Sequence, residues 1–125
     1  MKTYPESPSG MTGVQTTLPL MLNHVSQGRL SLQRLVELLS SKPAQIFKIP
    51  NKGAIREGYD ADLTLVDLKS SRRIENSMIH SKCRWTPFDG FTVTGWPIIT
   101  IIGGEISMQE GELIGNPCGK PLFAF

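Results

Sequence analysis

Two cysteines and two histidines are all that this 125-residue sequence offers to a disulfide framework or a soft metal ion. Cys83 and Cys118 are too few for the bridged scaffold of a small secreted domain. His24 and His80 lie in different segments, whereas a zinc site needs three or four clustered ligands. An excess of one charge is also missing: 13 Lys and Arg against 11 Asp and Glu leave a net charge of +2, too little to pull the chain toward nucleic acid or anionic lipid. Aromatic residues make up only 7%, which further weakens a nucleic-acid reading. No apolar run is long; the best, Ile98-Ile99-Thr100-Ile101-Ile102, falls far short of the ~20 residues of a bilayer span. No apolar signal core follows Met1-Lys2-Thr3-Tyr4-Pro5. These absences predict a soluble cytoplasmic protein that engages neither nucleic acid nor membrane. What is present is 39% hydrophobic residues with 12 glycines and 9 prolines: too apolar for disorder, and turn-rich in the manner of β structure. The length suits one ordinary domain.

The pattern changes near residue 50. Residues 1–13 read as a loop punctuated by Pro5, Pro8, Gly10 and Gly13. From Val14 the spacing turns helical, with Val14, Leu18, Met21, Leu22 and Val25 on one face. Pro19 falls in the opening turns, where a missing N–H costs least, and Gly28 suits a left-handed cap. Ser31 is a good N-cap for a second helix through Leu32, Leu35, Val36, Leu38 and Leu39. Ser40-Ser41-Lys42-Pro43 interrupts it, and Pro43 to Phe47 makes one more helical turn. Two such short helices cannot bury their apolar faces on each other alone, so they read as outer-layer helices. Beyond Pro50-Asn51-Lys52-Gly53 come strands: Ala61–Leu68, Phe91–Thr94, and Ile98–Ile102, apolar on both faces and so expected to be central and covered on both sides. Gly103-Gly104 reads as a hairpin turn into Glu105–Met108, and Gln109-Glu110-Gly111 as a turn into Leu113-Ile114. Helices followed by strands resemble the end of one domain and much of a small β domain, not an alternating βαβ series.

Few residues suggest chemistry. His80-Ser81-Lys82-Cys83, with Cys118 as a possible addition, has ligand-like local spacing, but the plainer reading is a surface loop with an incidental thiol. Cys83 lies between Lys82 and Arg84, cations that favour thiolate, or is simply a cysteine in a basic turn. His24 near a helix end is a solvated residue favoured by the helix dipole. Asp60 and Asp62 share one strand face beside a turn; turn capping is favoured over acid/base work. Arg72-Arg73 and Arg84-Trp85 suggest nucleic-acid contact, which the charge balance opposes, so Trp85 and Trp96 read as packing anchors. Ser9-Gly10-Met11-Thr12-Gly13 is glycine-rich and precedes a helix, but it lacks the Lys-Ser/Thr ending and preceding strand of a nucleotide loop. Its glycines let backbone approach a ligand, and free N–H groups at a helix start suit a carboxylate.

Several segments, taken together, resemble the dihydroorotases of the cyclic amidohydrolase superfamily. Pro8-Ser9-Gly10-Met11-Thr12-Gly13-Val14-Gln15-Thr16, running into Leu18-Pro19-Leu20, is similar to P-x-G-x-x-G-(V/L)-E-T-x-L-P-L. Ser9 stands where that pattern is often apolar or proline, and Gln15 where it has Glu. Gly28-Arg29-Leu30-Ser31-Leu32 and Lys42-Pro43-Ala44 fit the family's next two helices. Lys52-Gly53-Ala54-Ile55 through Gly58-Tyr59-Asp60-Ala61-Asp62-Leu63 resembles K-G-x-I-x-x-G-x-D-A-D-L. Ser81-Lys82-Cys83-Arg84-Trp85-Thr86-Pro87-Phe88-Asp89-Gly90 and Gly95-Trp96-Pro97 resemble segments of dihydroorotases and allantoinases. The likeness covers residue 7 to about residue 115.

That resemblance implies an α+β fragment. Residues 1–48 would carry the substrate loop and the last helices of a (β/α)8 amidohydrolase barrel, and 49–125 the C-terminal part of a small composite β-sandwich. It implies a parent enzyme that interconverts dihydroorotate and N-carbamoyl-L-aspartate in pyrimidine synthesis, at a metal centre that is usually zinc. The H-x-H pair, carboxylated lysine, further histidines and catalytic Asp of that centre would all precede residue 1, so no catalytic residue, metal ligand or bound cofactor is expected in this segment. What carries over is the loop: Ser9 and Gly10, after Pro8, would offer main-chain N–H groups to a substrate carboxylate. The implied partners are the remainder of the amidohydrolase chain or a homologous subunit, in a homo-oligomer, or a transcarbamoylase. An allantoinase or hydantoinase segment and a non-catalytic assembly module derived from the family are the alternatives. A small basic β domain that binds RNA is a third and weaker one.

Overall fold

The computed structural model describes residues 10–122. Helix α1 is Val14–Ser26. It starts at Gly13, whose carbonyl accepts from the amides of Thr16 (3.1 Å) and Thr17 (2.8 Å) and from the Thr17 hydroxyl (2.7 Å). Gly28 follows it with positive φ, the expected left-handed cap. Pro19 sits beyond the first turn rather than in it, so the helix forgoes one hydrogen bond, and the ring is buried. The buried face also differs from the apolar stripe. Thr16, Pro19 and Leu22 are buried, while Val14 is 98% exposed. Only Leu22 of the predicted stripe is buried, because the neighbouring sheet packs on the Thr16–Pro19–Leu22 line.

Helix α2, Leu32–Val36, is capped as expected, with Ser31 Oγ accepting from the Arg34 amide at 3.1 Å. The predicted interruption does not occur. A π turn, Glu37–Ser41, leads directly into helix α3, Lys42–Ile46. Pro43 cannot donate to the Leu39 carbonyl and its ring crowds that oxygen, and the wider turn takes up the mismatch without ending the helix.

Four antiparallel strands form a meander in the order β1 (Leu63–Arg73), β2 (Thr92–Ile102), β3 (Glu105–Gln109) and β4 (Glu112–Leu113). The turns at Gly103-Gly104 and Glu110-Gly111 fall where the sequence places them. Strand β2 is one strand where two were expected. It runs straight through Gly95-Trp96-Pro97, and the irregularity moves into the pairing: the register with β1 slips between Leu65 and Val66 and between Asp67 and Ser71. Asp67 supports the second slip by accepting from the amides of Lys69 (2.8 Å) and Ser70 (3.2 Å). Strand β1 is correspondingly longer than expected, because its polar end, Ser71 to Arg73, pairs with Thr94 to Thr92. Strand β2 is central, as expected, but Pro97 to Ile102 are only half-buried. The expected cover on both faces is therefore incomplete among the described residues; the located contacts of α1 with the strand are at Thr94 and Gly95.

At that end lies the core: Ile74, Val93 and Trp96, with Leu20, Met78 and Phe88 packed against it. Trp96 is the packing anchor its residue type suggests, with the Arg72 guanidinium 5.5 Å from its ring centre and paired to Glu110 at 2.7 Å. Trp85 is only half-buried. Helix and strand meet at Gly95, which has φ +100°; a Cβ there would stand 2.5 Å from Leu22 Cβ. Beside it, Asn23 Oδ1 accepts from the Thr94 amide at 3.0 Å. Both a left-handed backbone and the space are reserved for glycine. Gly95→Ala is expected to cost about 2–4 kcal/mol in urea unfolding. Gly119→Ala, which meets nothing within 4 Å, is expected to stay within about 0.5 kcal/mol of the parent. Equal midpoints for the two variants would refute this account of the junction.

Candidate functional site

Of the three predicted substrate-binding residues, Pro8 and Ser9 lie outside the described residues. Gly10 is exposed, and among the described residues nothing beyond its chain neighbours comes within 4 Å of where its Cβ would stand. The loop leads into α1, whose N-cap Gly13 supplies no side-chain acceptor and whose first turn has no acidic residue. The first-turn amides and the positive end of the helix dipole are therefore left without an anionic cap from that turn, an arrangement suited to a carboxylate.

Two distant segments form the wall around this loop. The Thr12 hydroxyl donates to the Trp85 carbonyl at 2.6 Å. The Gln15 amide donates to the Met78 carbonyl at 2.6 Å and accepts from the His80 amide at 3.0 Å. Met11, Thr12, Val14, Gln15, Ile79 and Ser81 line a pocket of about 540 Å³ there. A neighbouring cleft of about 380 Å³ shares Ile79 and adds Asn76, His80 and Arg84. The 74–91 loop is itself braced: Ile74 and Phe91 pair through backbone at 2.8 Å, Asn76 Oδ1 accepts from the Thr86 amide at 2.8 Å, and Asp89 Oδ1 accepts from the Asn76 amide at 2.8 Å. Sequence reasoning missed Thr12 and Gln15 as ties. The available signal was two resemblance segments about seventy positions apart, each with polar residues that no local turn uses.

Cys83 is exposed on this wall, with Sγ 3.4 Å from Ser81 Oγ. Hydrogen bonding from the Ser81 hydroxyl, and then from the Trp85 backbone, lowers its thiol pKa below the ordinary 9.0. The sequence favours a plain cysteine in a basic turn over a cation-activated thiol; the lowering comes from hydrogen bonding to the sulfur and not from the flanking cations. Cys118 lies elsewhere, 3.9 Å from the Ile102 carbonyl, so the two cysteines and His80 do not form one site. Among the described residues no group of three His, Cys, Asp or Glu is placed to hold a metal. The described residues therefore do not fit the zinc that the resemblance implies.

Asp60 and Asp62 converge on one cation. Lys52 Nζ pairs with Asp60 Oδ2 at 2.9 Å and with Asp62 Oδ2, while Asp62 Oδ1 accepts from the Gly103 amide at 2.7 Å. Next to Lys52, Gly53 lets the chain pass close to α3: a Cβ there would stand 2.8 Å from Ala44 Cβ. The aspartates brace a turn, as their spacing favours; Lys52, in the same motif, is the partner that sequence reasoning did not supply.

The amidohydrolase family's sequence model matches residues 8–107. The chain belongs to the amidohydrolase family. It is 43% identical over 112 residues to a dihydroorotase of Methanothermobacter thermautotrophicus, covering 89% of this chain and 26% of that protein. It is 44% identical over 108 residues to an L-hydantoinase of Paenarthrobacter aurescens, covering 85% and 24%. The solved structure of an L-hydantoinase (dihydropyrimidinase) from Arthrobacter aurescens superposes with a TM-score of 0.84 at 41% identity, over 88% of this chain and 25% of that one. The chain thus spans about a quarter of the length of these relatives. No helix among the described residues is long and apolar enough to cross a membrane.

In this amidohydrolase chain the clip makes stability depend on pH at both extremes. Hydrogen bonds from Lys52 and then from the Gly103 amide lower the Asp62 pKa below its usual 3.8. Its contribution is therefore complete above the unfolded value and lost as pH falls through the lower folded one. Lys52 is raised above 10.5, chiefly by Asp62, so its contribution is lost as pH rises through the folded value. Asp62→Asn is expected to flatten the acid limb of a thermal-melting profile below about pH 4 and the alkaline limb with it. An unchanged profile would show that the clip does not support the fold.

Proposed function

We propose that this chain is the C-terminal part of a dihydroorotase-like cyclic amidohydrolase, and that it contributes substrate positioning and not bond cleavage. The observation that carries the reading is the wall described above. Two dihydroorotase-like segments are drawn together around a glycine loop and an uncapped helix start, a site for a carboxylate such as those of N-carbamoyl-L-aspartate and dihydroorotate. In this reading Ser9 and Gly10 donate main-chain N–H groups to that carboxylate. The zinc belongs to residues outside these 125, and the setting is cytoplasmic. The hydantoinase reading is the second, favoured by the 44% identity to an L-hydantoinase and by the solved structure it superposes on. A hydantoin lacks the free carboxylate, so the two readings differ in what the loop binds.

The partner in this reading is the remainder of an amidohydrolase chain or a homologous subunit, or alternatively a transcarbamoylase. In support, Leu18, Leu32, Val36 and Leu39 line an open groove of about 560 Å³, and Ile55 is 90% and Ile46 71% exposed. The α helices and the sheet then complete a barrel edge and a β-sandwich with that partner.

Purified alone, the chain is expected to contain no stoichiometric zinc, to give no detectable cyclisation of N-carbamoyl-L-aspartate, and to self-associate in light scattering at micromolar concentration. Turnover by these 125 residues would overturn the positioning role. A compact monomer would overturn the need for a partner. Backbone amide shifts at Gly10 to Gly13 on adding N-carbamoyl-L-aspartate, but not a 5-substituted hydantoin, would favour the dihydroorotase reading; the reverse would favour the hydantoinase one.

A further inference from the structure

The two loops of the wall are joined by a single amide side chain. Gln15 Nε2 faces the Met78 carbonyl at 2.6 Å and Gln15 Oε1 faces the His80 amide at 3.0 Å. Only one orientation of the amide satisfies both, because a carbonyl needs a donor and an N–H needs an acceptor. Met78 ends the 3-10 turn Asn76–Met78, so its carbonyl has no partner within that turn and Gln15 caps it from outside. Three residues earlier, Thr12 makes its own tie to Trp85. These ties bracket Gly13, and with them the first turn of α1 takes one position relative to residues 78–85.

The geometry points to Gln15 as a positioning residue. Through its paired hydrogen bonds to the 78–80 backbone it sets where the main-chain donors of the glycine loop and the first turn of α1 stand, and hence where a substrate carboxylate is held. This rests on the carboxylate reading of the loop given above. In this chain the amide makes both bonds without a titrating proton, whereas the dihydroorotase pattern has Glu at this position. An ionised carboxylate at this place accepts from the His80 amide but places an oxygen against the Met78 carbonyl with no proton between them; once protonated it makes both bonds. Gln15 keeps the junction independent of pH through the range in which carboxyl groups titrate.

Backbone-amide NMR of the whole chain tests this with Gln15→Ala, Gln15→Glu and, as a second tie, Thr12→Val. Gln15 is exposed, so none of its variants disturbs the core. In Gln15→Ala the His80 amide is expected to exchange roughly tenfold faster than in the parent, with shifts at Gly10, Thr12 and Gly13. Gln15→Glu is expected at pH 7 to keep the His80 amide protected, since the carboxylate still accepts from it, but to lose the Met78 bond and show shifts at Gly10, Thr12 and Gly13; on acidification it returns to the parent's signals, with a midpoint above the ordinary ~4.3 of a glutamate, because Met78 favours the protonated form. The charged and titratable groups on the facing turn are His80, Lys82, Cys83 and Arg84, and the first turn of α1 has no acid of its own. The parent's titration supplies the His80 baseline.

A parent-like Gln15→Ala spectrum, or a Gln15→Glu spectrum that does not change between pH 7 and 4, overturns the positioning role. Titrating N-carbamoyl-L-aspartate into the parent and Gln15→Ala separates the two layers. Shifts in the parent that weaken at least severalfold in the variant support both. No shift in the parent overturns the carboxylate reading, and with it the role of Gln15 in binding, even where the Gln15→Glu titration shows the junction itself.

Discussion

The approach of α1 to β2 at Gly95 is the contact on which the rest of the described structure depends. With no side chain at Gly95, Leu22 lies directly against the strand, and Asn23 closes the adjacent Thr94 amide. This fixes the helix near its C-terminal end, while Gln15 fixes it near its start. Eight residues of α-helix separate the two anchors, about 12 Å of nearly rigid rod. The glycine loop precedes the rod and the 74–91 loop precedes the strand it rests on. Displacing the helix at Gly95 therefore moves the loop relative to its wall, and a packing defect far from the loop becomes an error in the position of main-chain donors.

The apolar residues are distributed unevenly around that contact. Ile74, Val93 and Trp96 are buried on one side of it, while the stripe that makes α1 amphipathic faces a groove shared with α2 and the Lys52 clip. An exposed valine or isoleucine is ordinary when isolated; a continuous face of them over two helices and a sheet marks a surface that is covered when the protein works. Folding of the described part rests on few buried residues, so a single defect such as a Cβ at Gly95 is large relative to a domain's usual 5–15 kcal/mol.

What was legible in the sequence was whatever local chemistry decides. Ser31 caps because its hydroxyl reaches an amide three residues on. Gly103-Gly104 and Glu110-Gly111 turn because the chain there needs left-handed backbone, and Asp60 and Asp62 sit beside a turn because their spacing puts both on one side. What was not legible depends on a partner far along the chain. The buried face of α1 is chosen by Gly95, not by the hydrophobicity of Val14 and Leu18. The unity of β2 and the polar extension of β1 come from their pairing with each other, which absorbs Pro97 by slipping register. The π turn before Pro43 is local in cause, yet a proline at the end of a helical pattern reads equally well as a stop. At the site, the glycine loop was visible and its ties were not, since nothing in Thr12 or Gln15 taken alone says which carbonyl it will meet.

The family segments in this chain thus do mechanical work. Gln15 and Thr12 join loops, Lys52 and Asp62 brace a turn, and Gly95 admits a helix. In the proposed reading the only groups offered to substrate are main-chain amides, and that changes how sequence differences are weighed. A site built from side chains is lost when a side chain changes, whereas one built from backbone N–H groups survives any substitution that keeps the amide and its position. Where the dihydroorotase pattern has proline, Ser9 retains an N–H that proline lacks; where it has an apolar residue, the donor is the same. The substitutions that matter are those that shift the backbone, which puts Gln15 and Gly95 ahead of the loop residues themselves.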